Sequence, residues 1–133
     1  MTVEEFVRQV DQQFGFLQAL GFSRDIQDSG REYCVTFSKQ NVAVVITYEL
    51  GSPPFVTLKD RSTRESPEWW FRDRFGLHEL VQEVVGATAA IPDNVPGQAE
   101  ALRRFGSSVL AGDFRVLHER QRRLGVAVEK NRA

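Results

Sequence analysis

The stretch 41-NVAVVITYEL-50 decides the fold. Val42, Val44, Ile46, Tyr48 and Leu50 fall on one parity and Ala43, Val45 and Thr47 on the other, a two-residue period that belongs to a β-strand. Both parities are largely apolar, so the strand is expected at the centre of its sheet. Upstream, Lys39-Gln40-Asn41 separates it from an alternating run through Tyr33, Val35 and Phe37. Asp28-Ser29-Gly30 is turn chemistry leading back to a weaker, edge-like strand through Phe22, Arg24, Ile26 and Asp28. Downstream, Gly51-Ser52-Pro53-Pro54 breaks the pattern and Phe55–Lys59 supplies a fourth strand. These connections are too short for parallel crossovers, so the sheet is expected to be a four-stranded antiparallel meander.

Helical periods flank the sheet. Val3, Phe6, Val7, Val10, Phe14 and Leu17 recur at three- and four-residue steps, predicting one amphipathic helix over residues 2–20 that ends at Gly21, with Phe22 packing back on the cap. A one-residue slip would expose the whole apolar set of the central strand. Val44, Ile46 and Tyr48 are therefore expected to share a face with Val35 or Phe37 beneath this helix. Later, Leu77, Leu80, Val81, Val84 and Val85 form a stripe closed by Gly86, and residues 87–97, with Pro92 and Pro96, read as a linker. Leu102, Phe105, Val109 and Leu110 resume a helical pattern from Gln98. Gly112-Asp113 pairs a C-cap with an N-cap before a final helix carrying Phe114, Leu117, Gln121 and Leu124. The expected architecture is a single α+β domain over residues 1–125, its N-terminal and C-terminal helices on one face of the sheet, followed by a frayed tail over 126–133.

Composition narrows the function classes. At 133 residues, 41% hydrophobic and 26% charged, the chain supports one core without disulfide staples. The net charge of −1 argues against a general nucleic-acid or anionic-membrane binder. Glu4 and Glu5 stand where a secretory signal needs basic residues, and the longest apolar run, Val42–Ile46, is far short of a membrane span, so the protein is expected in the cytoplasm. Cys34 is the sole cysteine and, inside an alternating strand, is expected to be a small buried hydrophobe.

The candidate chemistry is sparse. His78-Glu79 and His118-Glu119 are matching dipeptides, but neither continues into a second histidine four residues on. Both histidines are expected on helix surfaces, with no metal site and no cofactor. No glycine-rich phosphate loop is present, and no serine lies in a G-x-S-x-G turn, so no catalytic residue is assigned. Charge is uneven: residues 1–97 hold 9 Lys/Arg against 14 Asp/Glu, and residues 98–133 hold 8 against 4. Arg103, Arg104, Arg115, Arg120, Arg122 and Arg123 are read first as a solvated helix face that complements helix dipoles, ahead of a surface for an acidic protein partner or a nucleic-acid patch.

The densest aromatic and arginine cluster is 65-ESPEWWFRDRF-75, which opens with the N-cap and first-turn proline pattern Ser66-Pro67 of a short helix or turn. Trp and Arg are the residues most enriched at binding hot spots, and adjacent tryptophans on a regular element point apart. Trp69 and Trp70 with Arg72 and Arg74 are therefore the expected partner-binding residues.

The segment AEALRRFGSSVLAGDFRVLHERQRRLG, Ala99–Gly125, resembles the closing helices of small uncharacterised bacterial proteins of immunity-protein-like type, through Val109-Leu110 and Gly112-Asp113-Phe114. The likeness spans about a fifth of the chain and implies a cytoplasmic binder of another protein, with no catalytic residues to carry over. The start FGFLQALGF, Phe14–Phe22, followed by a meander, is similar to secretion chaperones, which differ in element order after the third strand. The expected function is a non-catalytic protein-binding module of immunity or chaperone type; the alternative is a small hydrolase or ligand-binding enzyme with a spatially assembled site. A binder needs an exposed patch rimmed by charge, whereas an enzyme needs a deep pocket with convergent polar groups.

Overall fold

The computed structural model describes residues 1–62 and 74–132, with side chains as far as residue 125. Helix α1 (Val3–Phe14) begins with a capping box: the Thr2 hydroxyl accepts the Glu5 amide at 3.1 Å, and the Glu5 carboxylate accepts the Thr2 amide at 3.3 Å. Phe6, Val10 and Phe14 are its buried stripe. The single helix expected over residues 2–20 is interrupted at Gly15, a weak helix former, and the short α2 (Phe16–Ala19) follows. Gly21 closes it as expected: at φ +95° it lets the Phe22 amide reach back to the Leu17 carbonyl at 3.0 Å.

The chain then forms strands β1 (Ser23–Asp28), β2 (Glu32–Lys39), β3 (Val42–Glu49), β4 (Phe55–Asp60) and β5 (Arg74–Gly76), all antiparallel neighbours in sequence order. The meander is thus five-stranded rather than four-stranded, and Arg74 and Phe75 belong to its added last strand. Three residues are too few to show an alternating period, and β5 is held by non-local pairing, with Phe75 opposite Leu58. Register aligns Val35, Ile46 and Val56 in one core-facing row and Phe37, Val44, Leu58 and Phe75 in the next. All seven are buried. Val44, Ile46 and Tyr48 share the buried face with Val35 and Phe37 as expected, and Tyr48 lies against the first helix, stacking on Phe6 of α1 at 5.2 Å and donating to the Met1 carbonyl at 2.7 Å. Leu50 leaves the alternation and is exposed in the turn after β3.

Helices α3 (Leu77–Val84), α4 (Val95–Phe105), α5 (Ser107–Leu110) and α6 (Arg115–Arg132) complete the layer that contains α1, and their buried residues join the sheet in one hydrophobic core. Val84 and Val85, grouped with the α3 stripe by their spacing, are exposed instead. Helix α4 starts three residues before the expected Gln98: Asn94 caps it, accepting the Gly97 amide at 2.8 Å, and Pro96 sits in the first turn, where a missing N–H costs nothing. Helix α6 continues through residues 126–132, assigned from sequence to a frayed tail. No helix among the described residues is long and apolar enough to cross a membrane.

Candidate functional site

Where the core layer meets the β2–β3 end of the sheet, α2, the end of β2 and the α4–α5 corner enclose a groove of about 580 Å³. Its geometry follows from which residue of FGFLQALGF is buried. Leu17 is fully buried and anchors α2, so Phe16 and Leu20 turn to the sides of that anchor and line the groove, with Phe22 forming part of its wall. Leu20 is 49% exposed. Opposite, Val109 anchors α5 in the core and leaves Leu110 and Ala111 on the groove.

Two cations rim this apolar surface. Lys39, the last residue of β2, donates from Nζ to the Leu20 carbonyl at 2.7 Å, satisfying a helix-end acceptor, and lies 5.9 Å from the centroid of the Phe22 ring. The Arg103 guanidinium of α4 lies 4.8 Å from the centroid of the Phe16 ring. Among the described residues its carboxylate neighbour is Glu100, an ion pair at 3.7 Å and beyond hydrogen-bond distance, and the Arg103 side chain is 55% exposed. Each cation is therefore fixed against a ring of the groove itself while keeping donors for another group.

The polar cluster around Asp60 has a different character. Asp60, at the end of β4, is buried and accepts from the Ser62 amide and hydroxyl at 3.0 and 2.6 Å and from Asn41 Nδ2 at 3.4 Å, and its second carboxylate oxygen lies 2.8 Å from His118 Nε2. Burial pushes the carboxyl up, but the hydrogen bonds from His118, Ser62 and Asn41 outweigh it and hold the group below its ordinary value. Asn41 also donates to the Gly112 carbonyl at 3.2 Å, so the cluster ties the β2–β3 turn and β4 to the α5–α6 corner. The His118 ring packs edge-on against Phe75 at 5.1 Å and beside Phe114. His118 is thus a tertiary tie and not the free helix-surface residue expected from sequence. Nucleophile activation needs the imidazole between a hydroxyl and a carboxylate. Here the carboxylate stands between the hydroxyl of Ser62 and the imidazole, so Ser62 faces no imidazole, only a carboxylate whose lowered value makes it a weak proton acceptor.

Two arginines of helix α6 are tied to α3. Arg120 donates to Glu83 at 3.0 Å and to Gln82 at 2.9 Å, and Arg123 reaches the same Glu83 carboxylate at 2.7 Å. Burial would raise the Glu83 carboxyl, but these two guanidinium groups hold it below its ordinary value. Arg115 pairs with Asp113, pulling that exposed carboxyl down to about 2. Arg115, Arg120 and Arg123 therefore serve separate local pairings rather than one phosphate-reading face.

The sheet face opposite the helices forms a concavity of about 550 Å³ lined by strand residues and Arg61. Cys34 lies on it, half-buried rather than in the core, with Sγ 3.4 Å from Glu32 and 3.5 Å from Thr47. Burial, with the Glu32 carboxylate beside it, pushes the thiol above its ordinary value and keeps it protonated. Among the described residues no group of three His, Cys, Asp or Glu side chains is arranged to hold a metal ion.

Of the partner-binding residues expected from sequence, Trp69, Trp70 and Arg72 lie outside the described residues, and Arg74 opens β5, exposed and opposite Lys59. The groove residues escaped the sequence reading because Phe16 and Leu20 fall beside the main stripe of the first helix, and Lys39 and Arg103 are brought together only by the tertiary fold. The i,i+4 pair Phe16 and Leu20, off-stripe and apolar, was the available signal. Compared with family models, curated proteins and solved structures, the chain matches none.

Proposed function

We propose that the protein is a non-catalytic, cytoplasmic protein-binding module that holds its partner at the groove between α2 and the α4–α5 corner. The observation that carries this reading is an apolar groove of exposed Leu20 and half-buried Phe16 and Leu110 rimmed by Lys39 and Arg103, the arrangement that separates a binder from a pocketed enzyme. A groove of this size supplies the anchoring pocket of a contact rather than the whole of it, since stable interfaces bury about 800 Å² per partner. Immunity-type and chaperone-type binding are both forms of this activity. Trp69, Trp70, Arg72 and Arg74 are proposed as a second contact region. The Asp60–His118 pair supports a structural rather than a hydrolytic role, because its hydroxyl and imidazole share one carboxylate.

The test is site-specific crosslinking from a benzoylphenylalanine at Ala111, followed by purification of the crosslinked protein and calorimetry with the wild-type chain. A purified partner that binds the wild type and loses affinity with Leu20→Glu supports the proposal. A partner that binds both chains equally refutes the groove as the contact.

A further inference from the structure

Resting on that reading of the groove, we propose that the partner segment it takes carries apolar side chains flanked by two carboxylates, which Lys39 and Arg103 recognise. When an occupant covers the groove, both cations lose water. A neutral occupant would leave Lys39 desolvated with only the Leu20 carbonyl and Arg103 with only the long Glu100 contact, and a cationic one would add repulsion, so an anionic flank best offsets the cost. The donors are in place for it: an ammonium carries three N–H groups and Lys39 spends one on Leu20, while among the described residues Arg103 meets only Glu100, at 3.7 Å, so its hydrogen-bond donors face no carboxylate at bonding distance there. Stacking on Phe22 and Phe16 fixes where each cation stands, which lowers the ordering cost of pairing. The two cations come from separate elements, a strand end and a helix, and each has its own ring. Two carboxylates on one chain segment match that arrangement; a fatty carboxylate, with a single headgroup, does not.

The experiment selects ligands from a displayed library of peptides of roughly 12 residues, with Glu, Lys and Gln equally frequent, against the full chain. The peptide selected is then labelled and its affinity measured by fluorescence anisotropy. The expected result is enrichment of Glu or Asp on both sides of apolar positions. Affinity should fall at least about tenfold with Arg103→Glu, fall less with Lys39→Gln, which keeps a donor for the Leu20 carbonyl, and weaken as NaCl rises from about 50 to about 500 mM. Urea unfolding of each variant confirms that it is folded. Selected peptides that are neutral or basic yet still lost with Leu20→Glu would overturn the carboxylate assignment while leaving the groove as the contact. Peptides indifferent to Leu20→Glu would overturn both. Dodecanoate displacing the peptide at a lower concentration than unlabelled peptide does would assign the groove to a lipid carboxylate and overturn the proposal.

Discussion

The Lys39 ammonium donates to the Leu20 carbonyl at 2.7 Å, so the end of the central hairpin is tied to the C-terminus of α2 and one wall of the groove is fixed to the other. This bond is both structural and part of the site. Lys39→Ala should lower stability by about 1 kcal/mol, the net worth of a hydrogen bond to a charged donor at a helix end. Arg103→Ala, which loses ring contact on an exposed side chain, should stay within about 0.5 kcal/mol of wild type. Urea unfolding measures both, and equal losses for the two would contradict the separate roles assigned to them.

Acid should unfold the protein partly through Asp60 and Glu83. Both carboxyls sit below their ordinary values in the folded chain. Each therefore contributes stability that is fully present above the unfolded value, near 4, and is lost as pH falls through the lower folded value. Asp60→Asn removes one of these contributions and should cost about 2 kcal/mol at pH 7 through mismatched donors at Ser62, Asn41 and His118. The gap between wild type and variant in urea midpoint should narrow on moving from about pH 7 to about pH 3. A gap that stays constant over that range would show that the Asp60 carboxylate contributes nothing through its charge.

Cys34 should react slowly. A thiol pushed up by burial and by the Glu32 carboxylate is almost wholly protonated near neutral pH, and only the thiolate attacks. Reaction with a chromogenic disulfide at about pH 7 should be at least about tenfold slower in the folded protein than in denaturant. Equal rates would place the sulfur in a more open and less acidic setting than the sheet face provides.

The β2–β3 turn carries the one non-glycine residue at positive φ among the described residues, Gln40 at +53°. Gln40→Gly relieves that conformation and should leave stability unchanged or raise it by up to about 1 kcal/mol, measured as the thermal midpoint. A clear loss would mean that the glutamine side chain makes a contact worth more than the strain.

Most of the fold was legible because its signals are local. The alternation of residues 42–48 and the brevity of the flanking turns define an antiparallel meander, and Gly21 and Gly112 mark helix ends by their left-handed φ. What sequence could not show was non-local or masked by a competing signal. β5 is stabilised by its pairing with β4, a partner that no window around Phe75 contains. The N-terminus of α4 was hidden because Pro92 and Pro96 together resemble a linker, although Asn94 at the cap and Pro96 in the first turn are a helix start. His118 finds Asp60 across the fold, and the dipeptide His118-Glu119 points to the wrong acid. The groove was the least legible feature: its apolar wall lies beside the helix stripe that burial explains, and its two cations meet only in three dimensions.

The central claim is that the groove is the contact face, and its most direct test is the affinity of the crosslink-identified partner for two exposed-residue variants, Leu20→Glu and Val85→Glu, measured by calorimetry with stability checked in parallel. Both residues are about half exposed, so both variants should fold. The account predicts that Leu20→Glu weakens binding by at least about thirtyfold, as loss of an anchoring side chain costs about 2 kcal/mol or more, while Val85→Glu binds as wild type. Equal affinity of Leu20→Glu and wild type, or a loss confined to Val85→Glu, would contradict it.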